Sequence, residues 1–258
     1  MNDLWLYRPQ PRPVAAVRLF CFPHAGVGAA FYRLWPQGLP AGVEVCALQL
    51  PGRGTRLREP SFTRMPELVQ AVATALAPHL DRPFAFFGHS MGAVVAREVA
   101  RVLAAQGRSP LHLFVSGRRP PWMADSAYTP LRHLSDAAFV QEVNRRYGGI
   151  PAEVLAHEDL MALLLPSLRA DLEALETFPL ALPQALPCPV SAYGGTHDTQ
   201  APPSHIEAWH TETRAEFALR LFEGGHFYLE PHRAELLADI GRRLTATLSA
   251  HGAQPVVA

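Results

Sequence analysis

The chain has 258 residues, of which 48% are hydrophobic, and its 23 basic residues balance its 23 acidic ones. This length and apolar content suffice for one large α/β domain with a sizeable core. The balanced charge argues against bulk nucleic-acid binding. Because every basic residue is arginine, a Schiff-base lysine and a P-loop lysine are excluded.

Cysteine usage and the absence of a targeting pattern predict a cytoplasmic protein. The three cysteines are odd in number and show no Cys-x-x-Cys spacing, which disfavours a zinc site and fits a reducing compartment. Charged residues and prolines precede the first long apolar run, so we expect no signal peptide. No run approaches the ~20 apolar residues of a membrane span. Without an oligomer signal, we expect a monomer.

Short apolar runs alternate with helical patterns along the chain. The strand candidates are residues 17–22, 43–48, 84–87, 111–116, 189–193 and 217–222, and the clearest helix candidates are 66–80 and 91–105. Runs that are apolar at successive positions indicate strands buried on both faces. The alternation predicts a mostly parallel sheet with right-handed crossovers, which binds ligands at the carboxyl ends of its strands.

The loop after the first predicted strand contains two glycines, Gly26 and Gly28, in a pattern close to Gly-x-Gly-x-x-Gly. The third glycine is missing. Glu44 lies in the middle of the next strand candidate, whereas a ribose-binding acid belongs at its end. The pattern therefore disfavours a dinucleotide site.

Gly88-His89-Ser90-Met91-Gly92 stands between a strand candidate and a helix candidate. Gly-x-Ser-x-Gly in this context is the nucleophile elbow of α/β-hydrolases, in which glycines let strand and helix approach closely. The turn exposes the serine hydroxyl above the sheet, beside the free N–H groups of a helix start. We therefore predict an α/β-hydrolase fold with Ser90 as nucleophile.

Hydrolysis at Ser90 requires two N–H donors for the developing oxyanion. Met91, directly after the nucleophile, supplies one, and Ala25 in the early loop is our choice for the other. His24, His89 and Phe227 are candidate substrate contacts beside this centre, although structural hydrogen bonding is the simpler role for both histidines.

Residues 120–187 contain no convincing strand and are predicted to form a helical insertion in a single domain spanning residues 1–258. Helices are expected over residues 135–147, with Ser135 as N-cap, and over residues 152–178, kinked or split at Pro166. Leucines at helical spacing predict packing against the sheet edge. The position of the insertion favours a lid over the serine, with some leucines lining an acyl channel. Asp171 is expected to pair with Arg169 or a neighbour.

The remaining members of a triad should follow in the order acid, then histidine. Asp198 follows the strand candidate 189–193, and His226 follows the strand candidate 217–222 after two glycines. His226 is the predicted base, and Asp198 would hold its tautomer. Asp125 is the rival acid, because some hydrolases place the acid after the earlier strand.

With these residues in place, nearly the whole chain resembles the type II thioesterases, the editing hydrolases of polyketide and nonribosomal peptide biosynthesis. The elbow is shared by many hydrolases, whereas Pro-His-Ala-Gly at 23–26, Pro-Gly-Arg-Gly at 51–54 and Leu-Arg-Ala-Asp at 168–171 are more specific. Val27 is a mild departure, since the family usually carries a smaller residue there.

The resemblance implies hydrolysis of stalled or aberrant acyl groups from the phosphopantetheine arm of acyl or peptidyl carrier proteins, as in antibiotic biosynthesis. It implies no metal and no diffusible cofactor. Because carrier proteins are generally acidic, Arg118 and Arg119 are candidate docking residues, although they are equally readable as ordinary solvated arginines. A general carboxylesterase or lipase, a serine acyltransferase and a non-catalytic receptor on the same fold are the alternatives.

Overall fold

A computed structural model of the chain describes residues 4–124, 128–180 and 182–250. Within these ranges one sheet contains β1 Leu6–Tyr7, β2 Val17–Phe22, β3 Val43–Leu48, β4 Phe84–His89, β5 Leu113–Ser116, β6 Val190–Gly195 and β7 Phe217–Phe222. Their spatial order is β1-β3-β2-β4-β5-β6-β7. All neighbours pair in parallel except β1 with β3. The predicted mostly parallel sheet is confirmed, and the short antiparallel strand β1 is an addition to it.

Helices cover both faces of this sheet. They are α1 Met65–Leu76, α2 Met91–Ala105, α3 Asp136–Tyr147, α4 Ala152–Leu155, α5 Glu158–Glu176, α6 Pro203–Glu207 and α7 Arg233–Ala250. Within β2, Phe20 and Phe22 face the core that holds α1 and α2, while Leu19 and Cys21 face the core that holds α7. Burial on both faces explains why the strands are apolar at successive positions.

In the described part of the chain, no helix has the length and apolarity needed to cross a bilayer.

The segment between β5 and β6 forms a helical layer with its own small core. This core joins Phe139 and Val143 of α3 to Leu168 and Leu172 of α5. Helix α3 follows Ser135, as predicted, and ends at Gly148 in the left-handed conformation, φ +67°. The Ser135 side chain makes no capping hydrogen bond, so the residue marks the boundary of the helix without satisfying its first N–H groups.

Pro166 lies inside α5 without splitting it, so the predicted split at this residue is wrong. The helical stretch is instead interrupted between α4 and α5, at residues 156–157. The proline coincides with a change in burial: residues 158–165 are exposed or half-buried, whereas most of residues 167–174 are buried. The second half of α5 therefore belongs to the core, and the first half covers it from outside.

The predicted pairing of Asp171 with Arg169 is also wrong. Asp171 accepts hydrogen bonds from Arg53, in the loop after β3, while Arg169 donates to Asp136 at the start of α3. In a helix, side chains two positions apart point in different directions. Asp171 therefore faces the core while Arg169 lies on the outer side.

A buried ion pair ties α2 to the segment before β7. The side chains of Arg97 and Glu212 are fully buried and are joined by two hydrogen bonds of 2.9 and 3.1 Å. Burial raises the pKa of Glu212, and the positive charge of Arg97 opposes that increase. The charge of Glu212 therefore depends on Arg97 for its stabilisation, while Arg97 also pairs with Glu98.

We predict that Arg97→Met lowers the free energy of unfolding by about 3–5 kcal/mol, because Glu212 is left as an unpaired buried charge. Urea unfolding measures the change. Arg145→Met, which breaks an exposed pair with Glu142, is the control and should leave the urea midpoint nearly unchanged. Equal midpoints for the two variants would contradict the importance given to the buried pair.

Candidate active site

Ser90 sits at the junction of β4 and α2 in a conformation that L-residues rarely adopt, φ 54° and ψ −116°. The junction is tight. A Cβ on Gly88 would lie 2.1 Å from the carbonyl oxygen of Gly92, and a Cβ on Gly92 would lie 2.1 Å from that of Phe22. Both positions therefore require glycine. The sharp turn from strand to helix places the serine hydroxyl at the carboxyl edge of the sheet, as the motif predicts.

Three side chains from separate loops form a continuous hydrogen-bonded chain at this edge. Nε2 of His226 lies 3.0 Å from Ser90 Oγ, and Nδ1 of His226 lies 2.7 Å from Asp198 Oδ2. All three residues are buried. These are the distances at which a histidine takes a proton from a serine while a carboxylate orients its ring.

The backbone holds the Asp198 carboxylate in place. Oδ1 accepts hydrogen bonds from the amides of Gln200 at 2.9 Å and Ala201 at 3.1 Å. Burial alone would raise the pKa of Asp198. The hydrogen bond to His226, the charge on that ring and the two amides outweigh burial, and the pKa falls below its ordinary value. The carboxylate therefore remains ionised and can stabilise an imidazolium.

Two backbone amides are candidates for an oxyanion hole: that of Met91, directly after Ser90 in the chain, and that of Ala25, which lines the same cavity as Ser90. Met91 is the first residue of α2, where an N–H has no partner within the helix. Ala25 lies in the turn after β2, beside the start of α2. Among the described residues, neither amide donates to another backbone or side-chain group. These are the two groups predicted to hold the oxyanion, and both are available for that role.

The three candidate substrate contacts occupy different positions. His24 and Phe227 line the cavity above Ser90, with ring centroids 5.0 Å apart. His89 is fully buried and does not line this cavity; its Nδ1 lies 2.9 Å from Ser116 Oγ. Burial, followed by the proximity of His226, lowers the pKa of His24 to about 3 and that of His89 well below its ordinary value. Both rings are therefore neutral at pH 7.

A cavity of about 590 Å³ opens above Ser90 and His226. Most of its wall is apolar, and the helical insertion supplies most of the large apolar side chains, including Val143, Ile150, Leu164, Leu168 and Leu172. Its described lining contains arginines but no aspartate or glutamate. The cavity thus combines an acyl-sized apolar space with positive charge.

The two candidate docking arginines differ in their surroundings. Arg118 is half-buried, lines the cavity, and has no ion pair or side-chain hydrogen bond among the described residues. Arg119 does not line this cavity, and its Nε donates to the carbonyl of Met123 at 3.1 Å. Asp125, the rival acid, lies outside the described residues.

Two further residues shape the site although the sequence analysis did not single them out. Tyr147, the last residue of α3, packs its ring 5.0 Å from that of His226. Gln49 is buried after β3 and hydrogen-bonds the amide of Ala29 and the carbonyl of Arg53. In the sequence, Tyr147 is marked only by the end of a helix candidate, and Gln49 only by the end of a strand candidate. Their contacts depend on how the loops pack.

A family model described as a thioesterase domain matches residues 17–244. The chain belongs to the thioesterase family. It is 41% identical to thioesterase PikA5 of Streptomyces venezuelae over 258 residues, which cover 99% of this chain and 90% of that one. It is also 41% identical over 248 residues to a Brevibacillus parabrevis protein named linear gramicidin dehydrogenase LgrE, covering 95% and 94% of the two chains.

Among solved structures, the fold is similar to that of the type II thioesterase BorB from the borrelidin biosynthetic cluster. The TM-score is 0.86 at 35% identity, and the match covers 95% of this chain and 99% of that one. The family match and this similarity agree with the fold and the serine hydrolase geometry described above.

The glycine loop does not match a dinucleotide site, although one relative carries the name dehydrogenase. In that site a long helix begins after the loop and directs free N–H groups at a pyrophosphate. Here the loop leads into a 3₁₀ turn of four residues, Ala29–Tyr32. The amide of Gly26 donates to the carboxylate of Asp171 at 2.7 Å. The loop therefore already binds an internal anion.

We predict that Asp198→Asn lowers kcat by about 10⁴-fold while the protein remains folded, because the amide favours the wrong tautomer of His226. Steady-state kinetics on a small acyl thioester measures the loss. Asp81→Asn, at an exposed carboxylate paired with Arg18, is the matched control and should retain full activity. A variant at Asp198 with near wild-type kcat would rule this residue out as the acid.

Proposed function

We propose that the protein is a type II thioesterase that hydrolyses acyl groups from the phosphopantetheine arm of carrier proteins in polyketide or nonribosomal peptide biosynthesis. The hydrogen-bonded chain of Ser90, His226 and Asp198 beneath an apolar cavity carries this proposal. Membership of the thioesterase family and the biosynthetic clusters named for its relatives support it. The free thiols of all three cysteines support a cytoplasmic location.

Acylation begins when Ser90 Oγ attacks the thioester carbonyl. His226 Nε2 accepts the hydroxyl proton, and the Asp198 carboxylate stabilises the resulting imidazolium. The amides of Met91 and Ala25 donate to the oxyanion of the tetrahedral intermediate. When the intermediate collapses, the carbon–sulfur bond breaks and the imidazolium gives its proton to the departing thiolate sulfur, which leaves as the thiol. The products of this step are the acyl-enzyme and a carrier with a free phosphopantetheine thiol.

Deacylation repeats the same steps with water as the nucleophile. Neutral His226 takes a proton from water, which attacks the Ser90 ester, and the second tetrahedral intermediate uses the same two amides. Its collapse returns the proton to Ser90 Oγ and releases the carboxylic acid. Every proton is therefore transferred through one ring nitrogen, and these steps use only side chains and amides of this chain.

We also propose that the predicted insertion, residues 120–187, is a lid within one α/β-hydrolase domain. Leu160 and Leu163 line the cavity, although Leu160 is 44% exposed to solvent and Leu163 is 52% exposed. Large aliphatic side chains on an outer wall are typical of a wall that closes over an apolar ligand. The buried second half of α5 anchors this wall to the domain.

The most direct prediction concerns the leaving group. At matched acyl chains, kcat/KM should be at least about tenfold higher for a carrier-linked thioester than for a small oxygen ester. Ser90→Ala should be inactive on both substrates. A higher kcat/KM for the oxygen ester would favour a general carboxylesterase instead. Acyl transfer to added amines or alcohols, in place of free acid, would favour an acyltransferase.

A second prediction concerns docking. Arg118 has no ion pair among the described residues, and its positive charge fits an acidic carrier or the phosphate of its arm. Arg118→Glu should lower kcat/KM for the carrier-linked substrate by about tenfold at low ionic strength. The loss for a small thioester should be smaller. Arg214→Glu, at an exposed position before β7 and away from the site, is the control. Equal losses on both substrates would contradict docking.

A further inference from the structure

We propose that Asp171 is a positioning residue for the reaction: its carboxylate holds the turn of residues 24–27 in the conformation that presents the amide of Ala25 to the oxyanion. The inference rests on the proposed hydrolytic function. It gives a role to a buried charged residue of the insertion that forms no part of the triad. Its carboxylate accepts hydrogen bonds both from the turn and from Arg53 in the loop after β3.

The turn has a defined type. The carbonyl of His24 accepts a hydrogen bond from the amide of Val27 at 3.3 Å, which closes a four-residue turn. Gly26, its third residue, has φ +76°, whereas Ala25 does not have positive φ. A positive φ at the third position alone is the signature of a type II turn, and it explains the glycine.

The peptide planes of this turn set the direction of the amide at Ala25. In a trans peptide, the C=O and N–H groups point in opposite directions. Because the His24 carbonyl is directed into the turn by Val27, the N–H of Ala25 is directed out of it. The next peptide carries the N–H of Gly26, which donates to Asp171 Oδ2 at 2.7 Å. The planes on both sides of Ala25 are thus fixed by hydrogen bonds.

The carboxylate selects this turn over its common alternative. A type I turn differs by rotation of the central peptide, here the bond between Ala25 and Gly26. That rotation would replace the N–H facing Asp171 with the carbonyl oxygen of Ala25. A carbonyl dipole against a buried carboxylate is repulsive, and the Gly26 amide would lose its acceptor. Asp171 therefore holds the type II form of the turn, and the Ala25 amide, which belongs to the preceding peptide, keeps its place within that turn.

Asp171 is itself held firmly. Its Oδ1 accepts from Nη2 of Arg53 at 2.9 Å, and its Oδ2 accepts a short hydrogen bond from Nη1 of the same residue. The side chains of Asp171 and Arg53 are 2% and 5% exposed. Nε of Arg53 donates to the carbonyl of Pro51 at 3.2 Å. The carboxylate thus has a fixed position relative to the loop after β3.

Helix α5 also seats the turn by shape. A Cβ on Gly26 would approach side-chain atoms of Leu164 and Leu168 to 3.1 Å. The two leucine side chains and the Asp171 carboxylate therefore all belong to the part of α5 that begins at Leu164.

Asp171→Asn tests the proposal, because it retains the shape of the side chain and removes its charge. We expect kcat on an acyl-N-acetylcysteamine thioester to fall by ~10²-fold, a typical loss for one oxyanion donor. The affinity for an alkyl boronic acid, whose adduct with Ser90 places an oxygen at the oxyanion position, should fall in proportion. An S-alkyl-N-acetylcysteamine, which fills the cavity but has no carbonyl, should bind as it does to the wild type.

Two further variants separate positioning from stability. Asp136→Asn breaks the exposed ion pair with Arg169 in the same insertion and should keep wild-type kcat and boronate affinity. The double variant Arg53→Met, Asp171→Leu replaces the buried pair with apolar side chains, which buried sites often tolerate. It should fold, as shown by a cooperative thermal transition, and still lose boronate affinity.

Unchanged kcat and boronate affinity in a folded Asp171 variant would overturn the proposal. So would equal losses of affinity for the boronate and for the carbonyl-free ligand, because these would indicate a general change of the cavity. Wild-type protein that hydrolyses neither thioesters nor oxygen esters would overturn the proposed function together with this inference. The first two results leave the hydrolytic function intact.

Discussion

The strained backbone at Ser90 is the constraint on which the site depends. A non-glycine residue at φ 54° and ψ −116° costs about 1–3 kcal/mol, so its surroundings must enforce it. Here the central strand and the following helix do so. They approach so closely at Gly88 and Gly92 that neither position can hold a Cβ. The same junction places the hydroxyl at the edge of the sheet and the amide of Met91 directly after it in the chain, so the proposed nucleophile and one proposed oxyanion donor share one local origin.

The remaining groups are brought to Ser90 by the parallel sheet. Strands β2, β6 and β7 run parallel to the strand of the nucleophile or to its neighbours, so the loops after them emerge at the same edge. Ala25, Asp198 and His226 come from these loops. This is why the order of elements and a few glycine-rich turns were enough to predict which side chains meet. Each of those residues lies within four positions of the end of an apolar strand. The parallel arrangement of the strands then brings the three loops to one edge of the sheet.

The features that could not be predicted depend on packing between distant segments. Asp171 was expected to pair with Arg169 or a neighbour, yet its partner Arg53 lies 118 residues away in the chain, because the buried face of α5 rests on the loop after β3. Pro166 was expected to kink or split this helix; the helix is not split, and the residues beyond Pro166 pack into a core. The antiparallel strand β1 is only two residues long, too short for any periodicity. The ring of Tyr147 reaches His226 only because the insertion folds back over the sheet edge.

The central claim is that Ser90 carries the acyl group between thioester cleavage and release of the acid. Rapid quenching of the protein with a carrier-linked acyl thioester, followed by intact mass and peptide mapping, tests it most directly. If Ser90 forms the acyl-enzyme, the mass increases transiently by one acyl group, the added group is located on Ser90, and the increase is missing from Ser90→Ala. Thioester hydrolysis with no adduct at any time, or an adduct on another residue, would contradict it.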